Sequence, residues 1–397
     1  MTMMRNISWI VIVTLIITGC ATVKPQTECG SSITQTTSMW DKEKLDEAFL
    51  FACDLGTTTL MVVTNGEVVK SMGDLEIPLY THSVRKALLN AIVGQHLGSG
   101  PDQINLESTL AELGINDEPN PLTPLQQQVK VLHLIKSVSG INHEAAAEGG
   151  LLKKEKDKRL GHKPNPPGTI WVYNNWDYNA LTTIFEQQTG LSVYQAFKSG
   201  IADPLEMQDF NKDSVFYVTD KRLSRHSKAG FRMSARDLAK FGQLYLNKGE
   251  WNGRQIIPAS WVERITGDYV LTGKKGLGSA HSYLWWVPVD RKSREMGIPE
   301  GTYFGWGFGS QNVFVIPAWD TVIVHQFDTQ QIKQCVGELI EKEGYNFRQA
   351  LIYLYVCKFP LFSLNEYCRE YGWAANFLSD DNLVKILSKI LDARQDK

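Results

Sequence analysis

The chain has 397 residues, with 41 Lys and Arg against 43 Asp and Glu, and a formal net charge of −2 at pH 7. This balance leaves no basic excess for a polyphosphate partner, so nucleic-acid binding is not expected. Hydrophobic residues make up 43% and charged residues 21% of the chain, a composition that excludes disorder, collagen-like repeats and coiled coil. The length indicates one large domain or two closely packed ones.

The first predicted element is an export signal. Arg5 precedes an apolar run from Trp9 to Ile17, which is too short to cross a bilayer and suits the core of a signal peptide. The run leads into Thr18-Gly19-Cys20, which completes a sequence similar to a bacterial lipobox, where the cysteine is diacylated. We therefore expect residues 1–20 to be a signal peptide and the protein to be periplasmic, anchored to a bacterial membrane through Cys20. An ordinary signal peptide cut nearby is the alternative.

Residues 21–40 are rich in Thr, Ser and Gln, and we expect them to form a flexible tether. If Cys20 is lipidated, an odd number of cysteines remains, so at least one is unpaired and the connectivity stays open. These cysteines are Cys29, Cys53, Cys335, Cys357 and Cys368. Their scatter shows no zinc-site spacing, so no metal is expected.

The next elements are a hairpin and a helix. Two β-branched runs, 60–64 and 67–70, flank Asn65-Gly66, which favours a tight turn. After Ser83, apolar residues recur at helical spacing until Gly94, which predicts a core-facing helix.

The remaining signals are mainly helical from 117 to 261 and extended afterwards. We expect a strand over 283–289, a pair of strands over 313–316 and 321–325, and a final amphipathic helix around 383–391. The order predicts an α/β (α+β) fold: a sheet lobe of residues 41–115 and 262–397, and a helical lobe of residues 116–261 inserted between, with the site in the cleft. Within that lobe, Lys153 to Arg159 is expected to be a solvated loop.

Ser83-Val84-Arg85-Lys86 is the only S-x-x-K in the chain, and it lies at the start of a predicted helix. Residues three apart share a helix face, so Lys86 would lie one turn from the Ser83 hydroxyl. An amine in a dry crevice loses proton affinity and can take the serine proton. The motif alone is weak, because a helix cap beside a surface lysine has the same spacing.

Two later segments add to it. Tyr173-Asn174-Asn175 places a phenol and an amide in a turn before a helix, where they can relay a proton or hold a substrate carbonyl; core aromatics and a helix cap are the alternative. Gly305-Trp306-Gly307-Phe308-Gly309 precedes a strand and lets a substrate approach main-chain N–H donors; a plain Gly-rich turn is the alternative.

These three elements, in this order, resemble the serine-hydrolase superfamily of class C β-lactamases, D-Ala-D-Ala carboxypeptidases, related esterases and 6-aminohexanoate-dimer hydrolases, over roughly residues 59–325. The resemblance implies the β-lactamase/transpeptidase-like fold, an antiparallel sheet flanked by terminal helices plus a helical lobe. It makes Ser83 the acylated nucleophile, Lys86 its basic partner and Tyr173 the proton relay. Asn175 would bind the lysine or the substrate, and the N–H groups of Ser83 and Phe308 would form the oxyanion hole.

One departure bears on the substrate. The β-lactamases and carboxypeptidases carry Lys-Thr-Gly on the strand beside the cleft, whereas Gly305-Trp306-Gly307 stands at the matching position here. The missing cation makes the chain more similar to the esterase and 6-aminohexanoate-dimer hydrolase branches. Arg232 or the Lys-rich segment could restore a positive charge.

Other candidates are weaker. His325 lies in an alternating strand and is expected to be structural, and of Trp285 and Trp286 one should face the core and one the cleft. No G-x-S-x-G elbow, P-loop or dinucleotide fingerprint is present.

We therefore expect an exported serine hydrolase that cleaves an amide or ester of a small molecule or short peptide through an acyl-enzyme, without metal or organic cofactor. The alternatives are a true β-lactamase or D-Ala-D-Ala carboxypeptidase, and a non-catalytic envelope protein that binds peptidoglycan fragments or a partner. The stretch 330–377 has no functional interpretation.

Overall fold

The structure, a computed structural model, describes residues 39–330 and 380–395. The predictions for the signal peptide, for Cys20, for most of the tether and for most of the stretch 330–377 lie outside the described residues. Of the cysteines considered for disulfides, Cys53 is described, and it is disulfide-bonded.

The described residues contain thirteen strands and ten α-helices. The strands are β1 Thr59–Thr64, β2 Glu67–Met72, β3 Leu79–Tyr80, β4 Val215–Val218, β5 Lys228–Met233, β6 Glu250–Trp251, β7 Arg254–Gln255, β8 Val270–Leu271, β9 Ala280–Ser282, β10 Trp285–Val287, β11 Tyr303–Gly307, β12 Gln311–Ile316 and β13 Thr321–Gln326. The helices are α1 Lys42–Asp54, α2 Arg85–Gln95, α3 Val131–Ile135, α4 Gly150–Leu160, α5 Asn175–Thr189, α6 Val193–Phe197, α7 Ala235–Leu246, α8 Ala259–Gly267, α9 Arg291–Glu295 and α10 Asp380–Asp392.

Eight strands form one antiparallel sheet in the order β2-β1-β13-β12-β11-β10-β9-β8. Asn65 and Gly66 adopt φ of 53° and 77°, which makes the predicted tight turn between β1 and β2. β1 pairs with β13, with Thr59 opposite Gln326. The sheet is therefore assembled from both ends of the chain, as the order of elements predicts.

Helices cover this sheet. α1 and α10 pack against each other, and α10 buries Leu383, Ile386 and Ile390 at the predicted helical spacing. α7 falls within the range predicted for the helical lobe, yet it packs on β12 and β13. At Gly242 in α7 an added Cβ would lie 2.5 Å from Val322, so the missing side chain allows this close packing.

Two local predictions are wrong. The Lys-rich segment is not a solvated loop: it forms α4, in which Lys156 is 1% exposed and pairs with Glu148 at 2.8 Å. The strand expected over 283–289 is limited to β10, because Tyr283 and Leu284 adopt left-handed φ of 46° and 72°.

All described helices and strands belong to one compact unit of the chain. Within the part of the chain that the structure describes, no helix combines the length and the apolar character needed to cross a membrane.

Candidate active site

Ser83 lies in a short 3₁₀ turn, His82–Val84, that leads directly into α2. The N–H of Val84 donates to Thr81 O at 3.0 Å, which closes the turn. His82 adopts φ of 46°, a strained conformation for a non-glycine residue, and its Nε2 lies 2.8 Å from Thr329 Oγ1. Ser83 is half-buried. The turn thus holds the Ser83 hydroxyl at the N-terminal end of a buried helix.

Lys86 lies one turn further on, as the S-x-x-K spacing predicts. Its Nζ is 2.9 Å from Ser83 Oγ, within hydrogen-bond distance. The side chain is 2% exposed, and the ammonium position lies 4.6 and 4.7 Å from the ring centroids of Tyr173 and Tyr178. Burial, followed by the charge of Arg85, holds the pKa of Lys86 well below its ordinary value of 10.5. Lys86 is therefore suited to accept a proton from Ser83.

Tyr173 is placed by the N-terminus of α5. Asn174 is the N-cap, since its side-chain oxygen accepts from Trp176 N at 3.2 Å while its Nδ2 donates to Ile141 O at 2.8 Å. The cap is thus Asn174 and not Asn175, which is the first helical residue. The Asn175 side chain is 7% exposed and makes no hydrogen bond to another described residue.

The Tyr173 phenol keeps its proton at neutral pH. Burial raises the pKa of Tyr173 to about 12, although a hydrogen bond with Ser83 and the charge of Arg85 act in the opposite direction. Its ring stacks on Trp286 with centroids 5.8 Å apart and an interplanar angle of 17°. The geometry brings together Ser83, Lys86 and Tyr173, the three residues that the sequence marks as catalytic.

β11 lies directly against the turn that holds Ser83. At Gly307 an added Cβ would lie 2.4 Å from Thr81 O and 3.2 Å from Ser83 N, and at Gly305 it would lie 3.1 Å from Val84 Cγ1. Only glycine allows this approach. Phe308 follows Gly307 and its ring lies 5.5 Å from that of His82. The segment around Gly307 and Phe308 therefore lies beside Ser83, at the place where the resemblance puts the oxyanion hole.

An aromatic wall lies beside Ser83 and Lys86. It consists of Trp171, Tyr173, Trp286 and Trp306. Trp286 lies 5.9 Å from Trp171 and 5.5 Å from Trp306 between ring centroids. Trp285, on the opposite face of β10, packs 4.7 Å from Tyr245 in the core. The two tryptophans thus lie on opposite faces of β10, as predicted for adjacent strand residues, and Trp286 is the one that lies beside Tyr173.

Sequence reasoning did not single out Arg85, the cation whose charge acts most strongly on Lys86. Arg232 is engaged elsewhere, because its Nη2 donates to Tyr80 Oη at 2.6 Å, and Lys156 is paired with Glu148. Arg85 is 2% exposed and donates from Nη2 to Asn179 Oδ1 at 2.9 Å. Two consecutive cations in the first turn of a helix are the sequence signal that points to it.

His325 has a structural role, as predicted. Its Nε2 lies 2.9 Å from Thr57 Oγ1 and its Nδ1 lies 2.6 Å from Ser310 O, and burial lowers its pKa to about 4. Within residues 39–330 and 380–395, no three His, Cys, Asp or Glu side chains lie close enough together to hold a metal ion.

An eight-stranded antiparallel sheet covered by helices, with a Ser-Lys-Tyr cluster where β11 meets α2, defines a protein of the β-lactamase/transpeptidase fold. The sequence model of the Beta-lactamase family matches residues 86–331, more than half of the chain. The chain therefore belongs to the Beta-lactamase family. The matched range begins at Lys86, three residues after Ser83.

Relatives and solved structures agree with this assignment. The chain is 25% identical over 262 residues to the 6-aminohexanoate-dimer hydrolase of Paenarthrobacter ureafaciens, with 61% of this chain and 64% of that protein covered. It is 24% identical over 269 residues to an uncharacterized protein of Alkalihalophilus pseudofirmus, with coverage of 62% and 72%. The octameric penicillin-binding protein homologue from Pyrococcus abyssi has a TM-score of 0.54 at 18% identity, with coverage of 80% and 81%. The protein is thus a β-lactamase-family hydrolase related to 6-aminohexanoate-dimer hydrolase.

Proposed function

We propose that this protein is an exported serine hydrolase that cleaves an amide or ester bond through an acyl-enzyme on Ser83. The observation that carries the proposal is the 2.9 Å contact between Ser83 Oγ and the buried Lys86 Nζ beside the Tyr173 phenol. A serine hydroxyl is a weak nucleophile until an adjacent base takes its proton, and a lysine kept neutral by burial is such a base. The anchor through Cys20 is part of the same proposal.

The reaction follows from this arrangement. Ser83 Oγ attacks the substrate carbonyl carbon while its proton passes to Lys86, and the carbonyl oxygen takes up negative charge beside the N–H groups of Ser83 and Phe308. Tyr173 donates a proton to the leaving amine or alkoxide as its bond to the carbonyl carbon breaks, and is reprotonated from Lys86. Water then attacks the acyl-enzyme, and the same groups move its proton in reverse.

The aromatic wall supports an amide or ester substrate without a recognised carboxylate. Trp306 stands at the position where the resemblance places a lysine, and it contacts Trp286 and Phe304 rather than a charged group. A flat apolar wall binds acyl or alkyl chains through buried apolar area. Among the members of this superfamily we therefore favour an esterase or amidase activity over a β-lactamase or carboxypeptidase activity.

The test is the intact mass of the protein after exposure to a fluorophosphonate. We expect one covalent adduct on the wild type and none on Ser83→Ala, while Ser199→Ala, a change at an exposed serine, keeps the adduct. An adduct that survives Ser83→Ala would refute the proposed nucleophile. A folded wild type that forms no adduct would favour a non-catalytic envelope protein instead, and turnover of a chromogenic cephalosporin would favour a β-lactamase.

A further inference from the structure

Two consecutive cations open α2. Arg85 and Lys86 are each 2% exposed, and the first turn of this helix contains no acidic residue. The N-terminal end of a helix carries a partial positive charge, which disfavours cations placed there. Burial disfavours them further, because a charge removed from water needs a compensating partner.

Neither cation has such a partner nearby. Among the described residues, no carboxylate oxygen lies within 4.0 Å of the Arg85 guanidinium or of Lys86 Nζ. Arg85 is held instead by the neutral amide of Asn179, whose Nδ2 donates to Ala146 O at 3.3 Å. An amide fixes the position of the guanidinium without cancelling its charge, so this charge acts on its surroundings through a medium of low dielectric constant.

Lys86 is the titratable group that this charge acts on. Arg85 from α2 and Lys228 from β5 lower the pKa of Lys86, and Glu148, which precedes α4 and is itself paired with Lys156, raises it. The other titratable groups that face Lys86 are Tyr173, Tyr178 and His281. The side chains of Arg85 and Lys86 lie against adjacent residues of α5, because Arg85 donates to Asn179 and the Lys86 amine lies 4.7 Å from the ring of Tyr178. After burial, the charge of Arg85 is the largest influence on the pKa of Lys86.

We propose that Arg85 is a positioning residue for the proton chemistry of Ser83: its buried charge, fixed by Asn179, keeps the Lys86 amine unprotonated and ready to accept the serine proton. This inference rests on the proposed function. The arrangement supplies a base at neutral pH without a carboxylate in the site, where a carboxylate would stabilise the protonated amine instead.

Three variants test the charge separately from the fold. Arg85→Gln removes the charge, and Asn179→Asp keeps the arginine but places a carboxylate against its guanidinium. Arg85→Lys, the matched control, keeps a cation. The measurement is the rate constant of fluorophosphonate inactivation as a function of pH, which reports activation of Ser83 without knowledge of the natural substrate.

We expect the acidic limb of this profile to move upward by about one pH unit in Arg85→Gln and Asn179→Asp, because loss or neutralisation of a nearby cation raises the pKa of Lys86. In the acidic part of the profile, where the rate constant rises with pH, both variants would be inactivated about tenfold more slowly than the wild type. In Arg85→Lys the acidic limb should stay at its wild-type pH.

The inference would be overturned if the acidic limb stayed at its wild-type pH in both Arg85→Gln and Asn179→Asp. A uniform loss of rate at every pH would also overturn it, because a purely structural residue gives that result. If Arg85→Gln fails to fold, Asn179→Asp decides alone, since it adds a counter-charge to a buried cation. A wild type that never reacts would refute the proposed function, an outcome distinct from both.

Discussion

In the proposed reaction, the two side chains that contact Ser83 divide the proton transfers between them. Burial and the charge of Arg85 hold the pKa of Lys86 low, whereas burial raises the pKa of Tyr173 to about 12. The lowered pKa favours an amine that accepts a proton, and the raised pKa of the phenol keeps a proton that it can donate. In the proposed reaction, Lys86 accordingly takes the proton of Ser83 during its attack on the carbonyl, and Tyr173 protonates the leaving group.

Tyr173→Phe should therefore affect poor leaving groups most. An amine or alkoxide must be protonated as it leaves, so we expect acylation by an alkyl ester or amide to slow by about 10²-fold to 10⁴-fold. A nitrophenolate leaves without a proton, so acylation by a nitrophenyl ester should slow far less. Pre-steady-state acylation rates for the two esters of one acid measure this difference.

The matched control is Tyr178→Phe. Tyr178 also lies against Lys86, at 4.7 Å, but its hydroxyl is hydrogen-bonded to Ser137 at 2.6 Å. Its removal should change the rates of both esters by the same factor. Equal slowing of both esters in Tyr173→Phe as well would contradict the assignment of the phenol as the proton donor.

The sequence predicts that Ser83, Lys86 and Tyr173 lie together, and it predicts their surroundings less well. Ser83, Lys86 and Tyr173 belong to motifs whose spacing carries meaning on a helix or beside one. Asn174 rather than Asn175 is the N-cap, a choice that depends on one residue of helix register and that two adjacent asparagines do not reveal. The burial of Arg85 depends on Asn179, 94 residues away, so no local pattern indicates it.

At the scale of elements, the proposed oxyanion hole requires the contact between β11 and the turn before α2. Gly307 makes this contact, with Thr81 O only 2.4 Å from the position of an added Cβ. Gly307→Ala should push the strand away and displace the N–H of Phe308. Misplacing one oxyanion donor costs about 10²-fold to 10³-fold in kcat, which acylation kinetics on an activated ester can measure.

Gly267→Ala is the control for this change. Gly267 ends α8 at an exposed position, and an added Cβ there meets no atom within 4 Å. Its activity should equal that of the wild type. A Gly307→Ala variant with wild-type kcat would show that β11 does not supply an oxyanion donor.

Elements defined by local signals are predicted well, and those defined by tertiary partners are not. Asn65-Gly66 forms its hairpin because both residues tolerate positive φ. The lysines of α4 suggest a solvated segment, whereas Lys156 is buried because it pairs with Glu148 and donates to the carbonyl of His143. β10 is shorter than its apolar run because Tyr283 and Leu284 turn the chain before it.

At the scale of the whole molecule, buried histidines link stability to pH. Burial lowers the pKa of His281 to about 3 and that of His325 to about 4, from an ordinary value of 6.5. Between the ordinary pKa of 6.5 and these lowered values, the unfolded chain binds protons that the folded chain does not. The free energy of unfolding therefore falls as the pH drops below 6.5. Burial raises the pKa of Glu148 and Asp177, which acts in the opposite direction.

A histidine variant isolates this effect from that of the carboxyl groups. Both ring nitrogens of His281 are buried without a hydrogen-bond partner in the described part of the chain, and the ring lies 5.1 Å from Trp286. His281→Phe fits this aromatic surrounding and removes the titration. The wild type loses unfolding free energy between pH 7 and pH 5, because pH 5 lies 1.5 units below the ordinary histidine pKa. In His281→Phe this loss should be about 2 kcal/mol smaller.

Urea unfolding at the two pH values measures this difference, with His162→Phe at an exposed histidine as the control. The control should lose as much stability as the wild type between pH 7 and pH 5. If His281→Phe also loses as much, His281 is protonated in the folded protein. The aromatic pocket beside Lys86 would then tolerate a second charge, and the low proton affinity that the proposed mechanism requires of Lys86 would lose its physical basis.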